Sequence, residues 1–261
     1  MDTIREPFSS GSSPIHNVHP GMRIVCAFLF SVAGAIASNI NSGLSILISG
    51  ILFVILARLD FWLLLRRLLA VNFFIAFLWI FIPFSHEGHE LFKIYGLTAT
   101  REGVELALII TLKSNGIVLA LTSFLATMPV QTLGAGMQCL HLPDSFCRLF
   151  SFTYRYVHVI REEYTRLHRA AVMRGFVAGN NLRTYRTYAW LVGMLLVRSF
   201  DRAHRVWQAM LCRGFNGRFH TLRKFRLCSA DWMLLGFVVC VSLGAVFLDY
   251  TRGDFRWMMQ F

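Results

Sequence analysis

Charged side chains are absent from three long stretches of the chain, residues 24–57, 68–85 and 232–248. A helix needs roughly 20 mostly apolar residues to cross a hydrocarbon layer of about 30 Å. Residues 24–57 are too long for one crossing and are interrupted by "SNINS" (38–42), which predicts a helical hairpin turning at that point. A third span is predicted over 68–84, ended by Pro83 and the polar loop "SHEGHELFKIYGLTATRE". A fourth covers 103–127 and a last one 231–249. The connection "RLDFWLLLRR" (58–67) between the second and third is basic and amphipathic. The expected fold is all-α: a polytopic integral membrane protein of about five transmembrane helices.

Residues 129–230 follow another pattern. From Phe146 the apolar and aromatic positions recur at Phe150, Tyr154, Val157, Tyr164, Leu167 and Ala171, spacings of three, four and seven that predict one long amphipathic helix over 145–174. Asp144, after Pro143, is placed to cap its start. "GFVAGNN" (175–181) reads as a turn. A second rod is predicted over 187–213, with Leu191, Leu195, Phe200, Ala203, Trp207, Met210 and Leu211 along one broad face. Each rod stops at a glycine, the residue that best accepts the left-handed conformation past a helix end.

Composition sharpens this picture. Of 261 residues 56% are hydrophobic and only 15% charged, too little charge to cover a soluble surface. Sixteen of the 26 Lys+Arg lie between 129 and 230, against four acids there (Asp144, Glu162, Glu163, Asp201). The positive-inside rule therefore places this segment in the cytoplasm, together with the N-terminus and the 58–67 loop, and leaves the 85–102 loop and the C-terminus outside. The organisation expected is a cytoplasmic N-terminal segment (1–23), a bundle of about four spans (24–128), a cytoplasmic module of long helices (129–230), and a last span with a short external tail (231–261). Residues 1–23 are polar and do not read as a secretory signal peptide. The six cysteines (26, 139, 147, 212, 228, 240) include no CxxC pair and read as small buried hydrophobes.

Both rods end alike, in "AAVMRGF" and "AMLCRGF". Each has small or apolar residues before the arginine (Ala170, Ala171, Met173; Ala209, Cys212). One reading is an ordinary cation near a helix C-terminus with a glycine cap. The other is a close-fitting helix tip whose guanidinium makes a two-pronged bond to a partner carboxylate. Two such tips suggest two like partners.

At these residues the chain resembles the transmembrane T component of energy-coupling factor (ECF) transporters, of the CbiQ type found in cobalt systems. "SPIHNVHPGMRIV" (13–25) resembles that family's entry into its first span. "ATMPVQTLGAGMQCLHLP" (126–143) resembles its short connecting helix, and "TYRYVHVIREEYTRLHRAAVMRGF" (153–176) and "AMLCRGF" its two coupling helices. The family motif is Ala-Arg-Gly, whereas this chain has Met173-Arg174-Gly175 and Cys212-Arg213-Gly214. The resemblance implies a non-catalytic scaffold in the bacterial inner membrane. It implies two ABC-type ATPases, each receiving one coupling-helix end at these six residues, with ATP and Mg²⁺ held by the ATPases and no cofactor bound directly. It also implies a substrate-capture membrane subunit (CbiM-like), a small CbiN-like subunit, surrounding membrane lipid, and a role in cobalt transport for cobalamin biosynthesis. Nickel and vitamin systems are close alternatives.

Other features are weaker. "HEGHE" (86–90) gathers His86 and His89, but their spacing is not that of a zincin helix, and a solvated loop is the simpler reading. Glu105 and Lys113, eight apart in the fourth span, can share a face. Ionisable groups within spans face protein or water; an interface or snorkelling role is the simpler reading of this pair, and a contact with the capture subunit the sharper one. No metal site is expected in the chain, nor nucleic acid as a partner. A membrane-embedded lipid-modifying enzyme is a less favoured alternative: there is no DxxD pair within or beside a span, no Gly-x-Ser-x-Gly elbow and no Walker loop.

Overall fold

In the computed structural model the described residues are 18–85, 90–94, 97–140, 142–216 and 229–251. They fall into two compact units, one of residues 18–140 with 229–251 and one of residues 142–216.

The first unit holds α1 (Pro20–Ile36), α2 (Ile40–Ala57), α3 (Phe61–Ser85), α4 (Arg101–Leu121), α5 (Val130–Cys139) and α8 (Ser229–Thr251). Four of these helices, from α2 to α4 and α8, are long and apolar enough to cross a membrane, and α1 is a shorter apolar helix. Pro20 opens α1, where its missing N–H costs nothing. The His19 ring nitrogen accepts from the Gly21 N–H at 3.2 Å. The hairpin turn falls at 37–39, overlapping the predicted break at 38–39, while 40–42 form the first turn of α2.

Three local readings are corrected. Residues 61–67 are the first two turns of α3, so the basic connection shrinks to 58–60, where Arg58 ends α2 in the left-handed region (φ 49°). The run "FWLLLRR" has no breaker, so nothing stops the helix from starting at Phe61. The loop before α4 contains an antiparallel pair, β1 (Glu90–Ile94) and β2 (Leu97–Thr100), in register Lys93 to Thr98 and Ile94 to Leu97. Of the cysteines, Cys26 and Cys147 are buried but Cys139, Cys212 and Cys240 are exposed, so small size did not imply burial; Cys228 lies outside the described residues.

The helices of this unit approach closely because glycines line their contacts, as expected where lipid supplies no hydrophobic drive between spans. A Cβ on Gly50 of α2 would lie 2.7 Å from the Gly116 carbonyl oxygen of α4. One on Gly116 would lie 2.9 Å from the Ile46 carbonyl oxygen. Beside this seam Phe30, Phe53 and Phe124 form the core, with the Phe53 ring centroid 4.8 Å from that of Phe124. Phe124 lies on one π turn (Thr122–Ala126) that extends α4 and buries Thr122, Ser123 and Phe124 in succession. α3 joins α4 through polar links: Asn72 and Asn115 exchange amide hydrogen bonds at 2.9 and 3.1 Å, and the Trp79 indole donates to Thr111 at 2.9 Å.

Two buried aspartates hold α8 at its ends. Asp231 accepts the His19 N–H at 2.9 Å. Asp249 accepts the N–H groups of Ser38 and Asn39 at 3.0 and 3.1 Å and the Ser42 hydroxyl at 2.7 Å. Eighteen positions separate them, about 27 Å of helix, close to the thickness of the hydrocarbon layer.

The Gly50–Gly116 seam has no room for a methyl group. Gly50→Ala is expected to destabilise the protein by about 1–3 kcal/mol, the usual cost of overpacking. Gly244→Ala, where a Cβ meets nothing within 4 Å, is expected to leave stability unchanged. Thermal unfolding of the two variants in one detergent checks this.

Candidate functional site

The second unit is a helical hairpin, α6 (Asp144–Met173) and α7 (Leu182–Cys212). Pro143, not Asp144, occupies the cap position of α6; Asp144 is the first helical residue, where its charge still favours the N-terminal dipole. α7 begins at Leu182, five residues earlier than its apolar stripe implied, after Asn181.

The two helices close by the same mechanism, the Schellman motif. At the end of α6 the Phe176 N–H donates to the Ala171 carbonyl at 3.1 Å and the Gly175 N–H to that of Val172 at 2.9 Å. At the end of α7 the Phe215 N–H donates to Met210 at 3.1 Å and the Gly214 N–H to Leu211 at 3.0 Å. Gly175 and Gly214 have φ of 81° and 75°, a region that costs an L-residue roughly 1–2 kcal/mol. A Cβ on either would meet nothing within 4 Å, so backbone conformation, not space, selects glycine. Each phenylalanine then folds back on a ring eight residues earlier: Phe176 on His168 at 6.4 Å, Phe215 on Trp207 at 6.0 Å.

This closure leaves Arg174 and Arg213 pointing out of the last turn. Both are exposed, and neither guanidinium has an ion pair among the described residues. Met173, 88% exposed, and Cys212 sit beside them. The result at each end is an exposed cation beside a small or apolar group.

The two ends lie at opposite extremities of the hairpin. The Phe176 ring meets Tyr188 edge-on at 5.5 Å, which places the end of α6 beside the start of α7. At the other extremity the first turns of α6 and the last turns of α7 line a groove of about 610 Å³, walled by Leu149, Phe152, Tyr156, Val206, Trp207 and Met210. From the crossing near Glu163 and Arg198, helix rise puts Arg174 and Arg213 roughly 35–40 Å apart. The α6 face turned toward α7 is the Leu149–Phe152–Tyr156 stripe; Phe146 and Tyr164, on the expected apolar face, are exposed.

Glu163 occupies the crossing. Its carboxylate accepts from Arg198 of α7 and pairs with Arg202 at 3.6 Å and Arg166 at 3.9 Å. The Arg198 hydrogen bond, helped by the arginine charges, holds the Glu163 carboxyl below the usual glutamate range. Folding thus depresses this pKa, so the pairing is present above the ordinary glutamate range and is lost as pH falls through the lowered value.

Of the other sequence candidates, Lys113 donates to the Ala35 carbonyl at 3.2 Å, serving one of the orphan carbonyls at the end of α1. Glu105 is exposed on α4, about 12 Å along the axis, and the two do not meet. His86 and His89 lie outside the described residues. No group of three or more metal-ligating side chains occurs among the described residues. The aspartates 231 and 249 were not among the sequence candidates, although an acid at each end of an uncharged run is a readable signal.

A bundle of apolar helices joined to a hairpin with two matched, exposed arginine ends defines a polytopic helical membrane protein with a dedicated two-ended module. The chain belongs to the CbiQ family, whose model, described as cobalt transport protein, matches residues 11–222. It is similar to proteins named energy-coupling factor transporter transmembrane protein EcfT. The one from Exiguobacterium sibiricum is 27% identical, covering 94% of this chain and 97% of its own length. The one from Staphylococcus aureus is 25% identical over 92% and 94%, and that from Thermanaerovibrio acidaminovorans 24% identical over the same shares.

If the caps fix the arginine ends, Gly175→Ala and Gly214→Ala should each fray one helix terminus. Hydrogen exchange at Gly175 and Phe176, or at Gly214 and Phe215 for the second cap, is expected to rise roughly 5- to 30-fold, the equivalent of 1–2 kcal/mol. The opposite end of the hairpin should be unaffected.

Proposed function

We propose that this chain is the transmembrane scaffold of an ECF importer that passes ATP-driven movement of two ABC-type ATPases to a substrate-capture membrane subunit. Arg174 and Arg213 are the docking residues. Met173 and Gly175, and Cys212 and Gly214, shape the two tips. The observation that carries this reading is the duplication of one cap, hydrogen bond for hydrogen bond, at the far ends of a crossed helix pair. Two matched tips suit two like ATPases. An exposed guanidinium without an ion pair among the described residues suits a carboxylate in a groove on each.

The hairpin faces the cytoplasm of the bacterial inner membrane, a placement supported by its excess of arginine over acid. The chain is non-catalytic: ATP and Mg²⁺ belong to the ATPases. The transported ion is cobalt, in line with the description of the family, and the capture subunit is CbiM-like with a small CbiN-like companion. Glu105, exposed on α4, is offered as a contact for that subunit, together with Lys113 of the same helix, which donates to the Ala35 carbonyl at the end of α1.

Removing one partner of a buried charge pair costs about 2–5 kcal/mol. Co-expressed ATPases are therefore expected to co-purify with the wild type and to fall at least tenfold with Arg174→Glu/Arg213→Glu. Uptake of radioactive cobalt by cells carrying the complete system should fall in parallel. Undiminished recovery of ATPases with the double variant would refute the docking role. Uptake of nickel in preference to cobalt would refute the substrate assignment alone.

A further inference from the structure

We infer that Glu163 is a positioning residue: it locks the register in which α6 and α7 cross, and thereby sets the separation of the two arginine ends. This rests on the scaffold reading above as far as transport is concerned, but the register lock itself does not.

The remaining links between the two helices are mostly apolar or aromatic: the Leu149–Phe152–Tyr156 wall faces Val206, Trp207 and Met210, and Phe176 meets Tyr188. Such contacts are non-directional, so they leave the helices free to slide or splay by a fraction of a turn. Glu163 is different. One carboxylate oxygen is bound by Arg198 and the other faces Arg202. Those arginines are four apart, one turn of α7, and lie on the same face. A shift of α7 by one turn, 5.4 Å, would exchange one partner for the other and leave one oxygen without its α7 arginine.

The selection of this acid is specific. Glu162, its neighbour in sequence, and Asp201, beside Arg202 on α7, are exposed and enter no ion pair among the described residues. Glu163 has only 13% of its side chain exposed and gathers three arginines. Surface pairs contribute little to stability, which argues that the effect is on geometry. Because the tips lie roughly 16–22 Å from the crossing, a small change of angle there moves each tip by several ångströms.

The test uses the full-length protein, with nitroxide labels at the exposed positions Arg169 and Gln208, one turn before each tip, in a background without native cysteines. The distance between labels is measured by pulsed electron paramagnetic resonance for the otherwise unchanged protein, Glu163→Gln, Arg198→Gln and the double variant. The expected result is a distance distribution at least half as broad again in Glu163→Gln, a smaller broadening in Arg198→Gln, which leaves Arg202 and Arg166 beside the carboxylate, and no broadening in the double variant beyond that of Glu163→Gln. In the assembled transporter, uptake per ATP hydrolysed should fall roughly tenfold while ATPase recovery stays at the wild-type level. An unchanged distribution in Glu163→Gln, in protein of unchanged helicity, overturns the register lock. Loss of the ATPases from Glu163→Gln would overturn its purely positioning role. Failure of even the wild type to bind ATPases would instead refute the scaffold reading, and the distance measurement would still decide the lock.

Discussion

A helix can offer a guanidinium beyond its last turn only if the chain behind it turns away at once, and here that turn depends on a left-handed backbone. Gly175 and Gly214 supply it. The two hydrogen bonds that follow return the chain so that Phe176 and Phe215 pack on their own helices. The arginine remains exposed at the last turn of each rod. Everything proposed for this protein rests on that constraint being met twice. Because α6 and α7 run antiparallel and cross, the two caps are delivered to opposite extremities, so a tandem motif becomes a two-point contact.

The membrane unit solves a different problem. In lipid there is little to drive apolar helices together, so association depends on backbone proximity and on polar groups that must find partners. Gly50 and Gly116 allow α2 and α4 to meet backbone to backbone. α8 has open space at Gly236 and Gly244, buries Val238 and Ala245 in the core, and is fastened by hydrogen bonds at its two ends. Asp249 has all three of its named donors from the α1–α2 turn and the first turn of α2, so this one carboxylate also fixes the hairpin. At the other face Arg23, almost fully buried, donates to Thr127, which in turn donates to the Ser123 carbonyl beside the π turn. Polar side chains thus mark the points where the bundle is fastened.

What could be read from the sequence was what depends on local chemistry. The absence of charge defined the spans, the three-and-four spacing defined the rods, and Arg-Gly defined where each rod stops. Residues 61–67 were misassigned because charge was allowed to outweigh helix continuity. The β-hairpin before α4 is too short for an alternating pattern to stand out. Glu163, Asp231 and Asp249 gain their meaning only from partners 35 to 212 positions away, and no local rule distinguishes Glu163 from Glu162. The two-ended site was legible as a motif, but its geometry, with opposite ends and a crossing held by one acid, required the fold.

The most direct measurement is site-specific photo-crosslinking from Met173 and, separately, from Cys212 in the assembled complex. The account predicts that both positions form adducts with an ATPase subunit, whereas the exposed mid-rod position Val197 forms none. An intact complex in which neither tip reaches an ATPase, or in which only one does, would contradict the claim that duplicated caps serve two ATPases.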